Sequence, residues 1–174
     1  MNDFERAIVF VLGWETMWGK KIRHRAAGET WETMYGFSQQ AHPEIDFDTF
    51  TEDKAKAKYL SDYWEKYGCS DIRWPLNFVH FDCCVNVGNE TNGIWHGRAN
   101  KILQRACSVT DDGQIGPNTM SAIREAGTMT LAIKMIVERQ KYYRRDPGKR
   151  AQLISINLNG WMNRVEDLML KALT

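Results

Sequence analysis

Apolar residues in this chain recur at intervals of three and four over most of its length, and one stretch, Trp18 to Phe37, breaks that rhythm. A period near 3.6 is satisfied only by helices that turn one face inward, so the expected class is mainly α. Phe4, Ile8, Val11 and Leu12 predict a helix over residues 4 to 15, capped by Asn2 or Asp3. A second runs from about Glu52 to Tyr67, with Thr51 as cap, Glu52 and Asp53 in the positive first turn, and Ala55, Tyr59, Tyr63 and Trp64 facing inward before Gly68 ends it. Pro75 opens a third, with Leu76, Val79 and Cys83 on one side, which stops near Gly88; Ala99, Ile102, Leu103 and Ala106 mark a fourth. Asp111-Asp112-Gly113 is a turn, Pro117 starts a helix that ends at Gly127, and amphipathic helices over Leu131 to Tyr143 and Gln152 to Leu170 follow. The exceptional stretch contains Gly19, Gly28 and Gly36, with Gly13 just before it. It alternates Trp31, Thr33, Tyr35 and Phe37 as a short strand does. A loop or small hairpin beside the first helix is the expected place for function.

Composition narrows the class. With 174 residues, 43% hydrophobic and 26% charged, the chain is too apolar for disorder and fits one globular domain or two small ones sharing a core. Its 23 basic and 22 acidic residues give a net charge of +1, which excludes a dedicated nucleic-acid binder. Positive charge is local, in Lys20 to Arg25 and in Tyr142-Tyr143-Arg144-Arg145 with Lys149-Arg150. Such runs are solvated faces or attract polyanions, and a nucleic-acid reading rests on the first run and the Trp content alone. The longest apolar run, Ala7 to Leu12, has 6 residues against the roughly 20 that span a bilayer, and no small-residue cleavage site follows it. We therefore expect no export signal. Cys69, Cys83, Cys84 and Cys107 form neither a disulfide framework nor a zinc pattern, and Asp111-Asp112-Gly113 lacks the further ligands of a calcium loop. No metal or cofactor is expected.

Glu15 carries the chemistry. At 100° per residue it projects only about 20° from Phe4, on the apolar stripe of its own helix, so a carboxyl is pushed toward the core beside Trp14 and Trp18. Desolvation there favours the protonated form, which general-acid cleavage of a glycosidic bond needs. The alternative is a carboxylate that ends the first helix or pairs with Arg23 or Arg25. Seven Trp in so short a chain fit carbohydrate clefts as well as cores. Glu29 and Glu32 are loop carboxylates that serve as solvated surface or as a second acid or base.

Glu15, His24 and Thr30 follow the spacing Glu-x8-His-x5-Thr, similar to the Glu-x8-Asp/Cys-x5-Thr triad of phage-type lysozymes, with His24 where that family has Asp. Ala27-Gly28-Glu29-Thr30, Tyr35-Gly36-Phe37-Ser38, Ala41-His42-Pro43, Tyr63-Trp64, Phe81-Asp82 and Val85-Asn86-Val87-Gly88 together resemble the N-acetylmuramidases of glycoside hydrolase family 108, which include phage endolysins and secretion-activator-like proteins. Leu103-Gln104-Arg105-Ala106, Asp112 to Thr119 and Gly160-Trp161-Met162-Asn163-Arg164 resemble the peptidoglycan-binding half that follows the catalytic one. The family's Glu-Gly-Gly-Tyr/Phe reads Glu15-Thr16-Met17-Trp18 here, a basic run replaces the acidic one after it, and about four residues, Trp31 to Met34, stand inserted before Tyr35.

The resemblance implies a lysozyme-like helical bundle with a muramidase-like half, 1–92, and a peptidoglycan-binding-like half, 93–174. No linker divides them, so one compact body is expected, with Trp161 on the inner stripe of the last helix packed against the first half. It implies hydrolysis of the β-1,4 bond between N-acetylmuramic acid and N-acetylglucosamine, with Glu15 as acid and Thr30 and His24 managing the water. Trp18, Tyr35, Asp82 and Asn86 are the candidate substrate-binding residues. Asp82 also reads as a buried carboxylate that caps a helix or pairs with an Arg. The expected partner is bacterial peptidoglycan, with a holin-type membrane protein for release of a monomer from the host cytoplasm to the periplasm and wall. The competing class is a catalytically dead wall-binding or assembly protein on the same fold.

Overall fold

The computed structural model describes residues 1–25, 30–91, 94–145 and 151–174. Glu29, Lys149 and Arg150 lie outside the described residues. Packing divides the chain into two compact units, Met1–Lys66 and Tyr67–Thr174.

The first unit opens with α1, Asp3–Glu15. Its start is fixed by a reciprocal cap: Glu5 N donates to Asn2 Oδ1 at 2.8 Å and Asn2 N donates to Glu5 Oε2 at 2.9 Å. Ala7, Ile8, Phe10, Val11 and Leu12 are buried along it. A three-stranded antiparallel meander follows: β1 (Arg23–His24), β2 (Thr33–Met34) and β3 (Phe37–Ser38). This is the small hairpin expected after the first helix, although the alternation of Trp31, Thr33, Tyr35 and Phe37 is not one strand: Tyr35 and Gly36 interrupt it, with φ of 50° and 86°, and Met34 pairs with Phe37 across them. Positive φ at both central residues makes the two-residue turn whose twist suits a hairpin. Thr51 caps α2 (Glu52–Tyr59), which widens into a π-helical segment over Leu60–Glu65. Ala55, Tyr59 and Trp64 are buried as expected, while Tyr63 is half-buried. Phe37 anchors the hairpin to α2, its ring centroid lying 4.6 Å from that of Tyr59 and 5.7 Å from that of Phe50.

The second unit is built around α3, Leu76–Asn86, in which every residue from Leu76 to Cys84 is buried. A helix buried on all sides must be central. It packs against α4 (Arg98–Ala106), α6 (Thr128–Arg144) and α7 (Ala151–Leu173), while α5 (Pro117–Ala126) packs on α6 and a two-stranded pair, β4 (Glu90–Thr91) and β5 (Ile94–Trp95), leads into α4. The turn at Gly113 is clamped by buried amides. Gln104 Oε1 accepts from Gly113 N at 2.7 Å, its Nε2 donates to Asp112 Oδ1 at 2.7 Å, and Asn100 Nδ2 donates to Gly113 O at 2.9 Å. Asp112 is thus a turn residue, held below the ordinary carboxylate range by Gln104 and the Gln114 amide. Trp161 is half-buried and stacks on Tyr143 of α6 with centroids 5.1 Å apart, so its partner comes from the second half. The stripe Ile154–Trp161–Val165 predicted a core position; Val165 takes it instead, fully buried.

The division by packing falls between Lys66 and Tyr67, so α3 lies before the expected division at 92 and packs with helices that come after it. A chain cut near Asn92 keeps α3 and loses α4, α6 and α7, leaving its apolar surface and Asp82 without cover. We expect that fragment to be unfolded or insoluble by circular dichroism and sedimentation; a soluble fragment that folds and cleaves peptidoglycan would show the halves to be separable.

Candidate active site

Glu15 is the last residue of α1 and is half-buried. The helix stops there because the Thr16 hydroxyl donates to Leu12 O at 2.7 Å and accepts from Gly19 N at 3.0 Å, while Trp18 N donates to Gly13 O at 2.6 Å. Met17 and Trp18 take φ of 48° and 57°, which reverses the chain and lays the Trp18 ring against Gly13, where any side chain would collide with it. The other face of Trp18 is open, the residue being 57% exposed.

The hairpin turn is delivered to Glu15 from the opposite side. Tyr35 N donates to Ile22 O at 2.9 Å, and the Tyr59 hydroxyl donates to Tyr35 O at 2.9 Å. A Cβ built on Gly36 would stand 3.0 Å from both Cβ and Cγ of Glu15. The stem of Glu15 therefore rests on the bare face of Gly36. A cavity of about 270 Å³ opens beside this end of α1, lined among others by Val9, Thr16, Trp18, Ile22 and Tyr35, with Glu52 and Lys56 paired at 2.6 Å in its wall. Trp18 and Tyr35, far apart in sequence, thus share one cavity.

His24 is half-buried in β1 and paired with Thr33. Its Nδ1 lies 3.1 Å from Lys21 O. A carbonyl only accepts, so Nδ1 carries the proton and Nε2 of the neutral ring is left as an acceptor. Ile22 stands level with Tyr35, so His24 lies two residues, roughly 7 Å, along β1 from the turn. Thr30 is exposed, three residues before β2. Arg23 bonds to Glu32 at 2.7 Å and to Asp48 at 2.8 Å. Glu32 and Asp48 are thereby the carboxylate partners of Arg23.

Asp82 and Asn86 belong to the second unit, and both are engaged internally. Asp82 is 0% exposed; its Oδ2 accepts from Arg139 Nη1 at 2.6 Å and its Oδ1 from Arg164 Nη2 at 2.6 Å and Nε at 2.9 Å. Burial pushes this carboxyl up, but the charges of Arg164 and Arg139 outweigh that and hold it below the ordinary range. With no exposed surface to offer a sugar, Asp82 is the buried, Arg-paired carboxylate and not a substrate contact. Asn86 Oδ1 accepts from the Tyr143 hydroxyl, which in turn accepts from Arg139 Nε at 2.7 Å. Tyr59 and Gly36 complete the surroundings of Glu15, and the sequence marked them only as a helix-face residue and a loop glycine.

Residues 8–88 match the family glycosyl hydrolase 108, and residues 98–166 match a predicted peptidoglycan domain. The chain carries a glycosyl hydrolase 108 segment followed by a peptidoglycan-binding region. Among solved structures it is similar to SagA of Brucella abortus, at 20% identity and a TM-score of 0.77, over 98% of this chain and 93% of that one. That similarity establishes the mainly α, lysozyme-like fold. The comparison with curated proteins finds no match. The protein is thus a glycoside hydrolase of a peptidoglycan-hydrolase family, with peptidoglycan as its partner.

Replacing Asp82 by Asn would leave two buried guanidinium groups facing a neutral amide. Breaking a buried ion pair on one side costs about 3–5 kcal/mol, so urea denaturation should show a loss of that size. A loss under about 1 kcal/mol would mean that the buried pairing contributes little.

Proposed function

We propose that the protein is an N-acetylmuramidase that hydrolyses the β-1,4 bond between N-acetylmuramic acid and N-acetylglucosamine, with Glu15 as the general acid. The observation that carries this reading is the placement of Glu15 at the end of α1, half-buried against the Tyr35–Gly36 turn, whose Tyr35 also lines a cavity with Thr16 and Trp18, the chain neighbours of Glu15. A carboxyl held there donates its proton to the glycosidic oxygen as the bond breaks. Trp18 and Tyr35 offer aromatic faces to the sugar rings. His24, with Nδ1–H donated to Lys21 O, directs the Nε2 lone pair outward as acceptor for a water proton, and the exposed Thr30 hydroxyl orients that water. No cofactor enters the reaction. In the cell the protein acts as an endolysin, a monomer made in the host cytoplasm that reaches the periplasm and wall through lesions opened by a holin-type membrane partner.

Purified protein acting on isolated walls should release muropeptides ending in reducing N-acetylmuramic acid. Glu15→Gln should lower that release by about 10² or more with an unchanged melting temperature, the usual scale for losing a general acid. Near-normal release by the variant would exclude Glu15 as the acid, and wall binding without release by the native protein would favour the wall-binding reading.

His24→Asp tests the water-activating position. A base works only when unprotonated, and a carboxylate stays ionised down to about pH 4, so the acid limb of the kcat/KM profile should move to lower pH with activity retained. An unmoved acid limb would remove His24 from the mechanism.

A further inference from the structure

Three groups converge on one point at the end of α1. The Cβ and Cγ of Glu15 lie 3.0 Å from the place a Cβ on Gly36 would occupy, and the Tyr59 hydroxyl lies closer still to that place. Gly36 has a φ of 86°, and Tyr35, which carries a Cβ, has a φ of 50°. A non-glycine residue in the left-handed region costs on the order of 1–2 kcal/mol unless its surroundings hold it there. Here they do: the Tyr35 amide donates to Ile22 O at 2.9 Å, and its carbonyl accepts the Tyr59 hydroxyl at 2.9 Å. The Tyr59 oxygen cannot wander. Its residue is 2% exposed, and its ring lies 4.6 Å from Phe37 and 5.5 Å from Tyr63, centroid to centroid.

We propose that Tyr59 is a positioning residue for Glu15: its hydroxyl locks the Tyr35–Gly36 turn in the left-handed conformation, and the bare face of Gly36 fixes the direction in which the Glu15 carboxyl points. The proposal rests on the reading of Glu15 as general acid. A proton donor must be held within about 0.5 Å and 10–20° of its productive geometry, which a side chain at a helix terminus does not achieve alone. The turn supplies a wall for its stem. Gly36 is required on two counts, its φ and the space that Glu15 and Tyr59 occupy. Gly19, also at positive φ, has nothing within 4 Å of its missing Cβ.

Tyr59→Phe keeps the ring and removes only the hydroxyl. On soluble peptidoglycan oligosaccharides we expect kcat to fall about tenfold or more, KM to stay within about twofold, and the melting temperature to drop by only a few degrees. Unchanged kcat in Tyr59→Phe beside an inactive Glu15→Gln overturns the proposal and leaves the Glu15 reading intact. A loss of turnover that vanishes below the melting range also overturns it, since that is mere destabilisation. Full turnover by Glu15→Gln overturns the Glu15 reading itself.

A thermal cycle reads the contact without activity. Gly36→Ala should lower the melting temperature of the native protein by several degrees more than it lowers that of Tyr59→Phe, because the added methyl then no longer meets the hydroxyl. Equal drops in the two backgrounds mean that the hydroxyl does not press on the turn, and the proposal falls.

Discussion

One carboxylate, that of Asp82, joins three helices. It lies on α3, fully buried, and its oxygens are divided between Arg139 of α6 and Arg164 of α7. Desolvating such charges costs several kcal/mol each, and the attraction between them offsets that cost only if geometry and hydrogen bonds are complete. This makes the arrangement of α3, α6 and α7 specific more than it makes it strong: a shift of one helix by a turn would strand a charge in the core. Arg139 Nε donates to the Tyr143 hydroxyl, which donates on to Asn86, while Arg139 Nη2 has no hydrogen-bond partner among the described residues. Every other position from Leu76 to Cys84 is buried beside Asp82, so the apolar core of the second unit grows from the same helix.

Burial also decides the chemistry of its neighbours. His80 is fully buried against Tyr67 O, and desolvation lowers its pKa to about 4, so the ring stays neutral in the fold. Cys83 is raised to about 12 by the same cause and Cys84 is raised well above its ordinary value, which makes these thiols packing groups and not nucleophiles. In the first unit the aromatic cluster of Phe37, Phe50 and Tyr59 presses a hairpin turn onto the end of α1, where the stem of the half-buried Glu15 rests on Gly36.

Helix limits were legible because their signals are local. Asn2 with Glu5, Thr51, Pro117 and Gly127 each act within a turn of their own position, and the observed boundaries follow them. Helical phase put Glu15 on the inward stripe, and the structure finds it half-buried at the end of that helix. The small hairpin expected between Trp18 and Phe37 is present, but the alternation from Trp31 to Phe37 did not show where it turns, because a tyrosine seldom takes positive φ and nothing adjacent to Tyr35 in sequence announces that it does here. Its fixing hydrogen bond comes from Tyr59, 24 residues away. Asp82 read equally well as cleft or core, and only the approach of Arg139 and Arg164 from 57 and 82 residues downstream decides between them.

By itself, then, the sequence determined a mainly α chain, the order and caps of its helices, the inward phase of Glu15 and the family to which its motifs point, all of which depend on contacts within a few residues. The tertiary structure alone decided which Arg residues neutralise Asp82, that Trp161 lies on Tyr143, that Trp18 and Tyr35 share a cavity, and that Tyr59 and Gly36 wall in Glu15. Periodicity encodes the face a side chain turns inward, but not the partner it meets there, because that partner is set by how helices and turns distant in sequence pack in space.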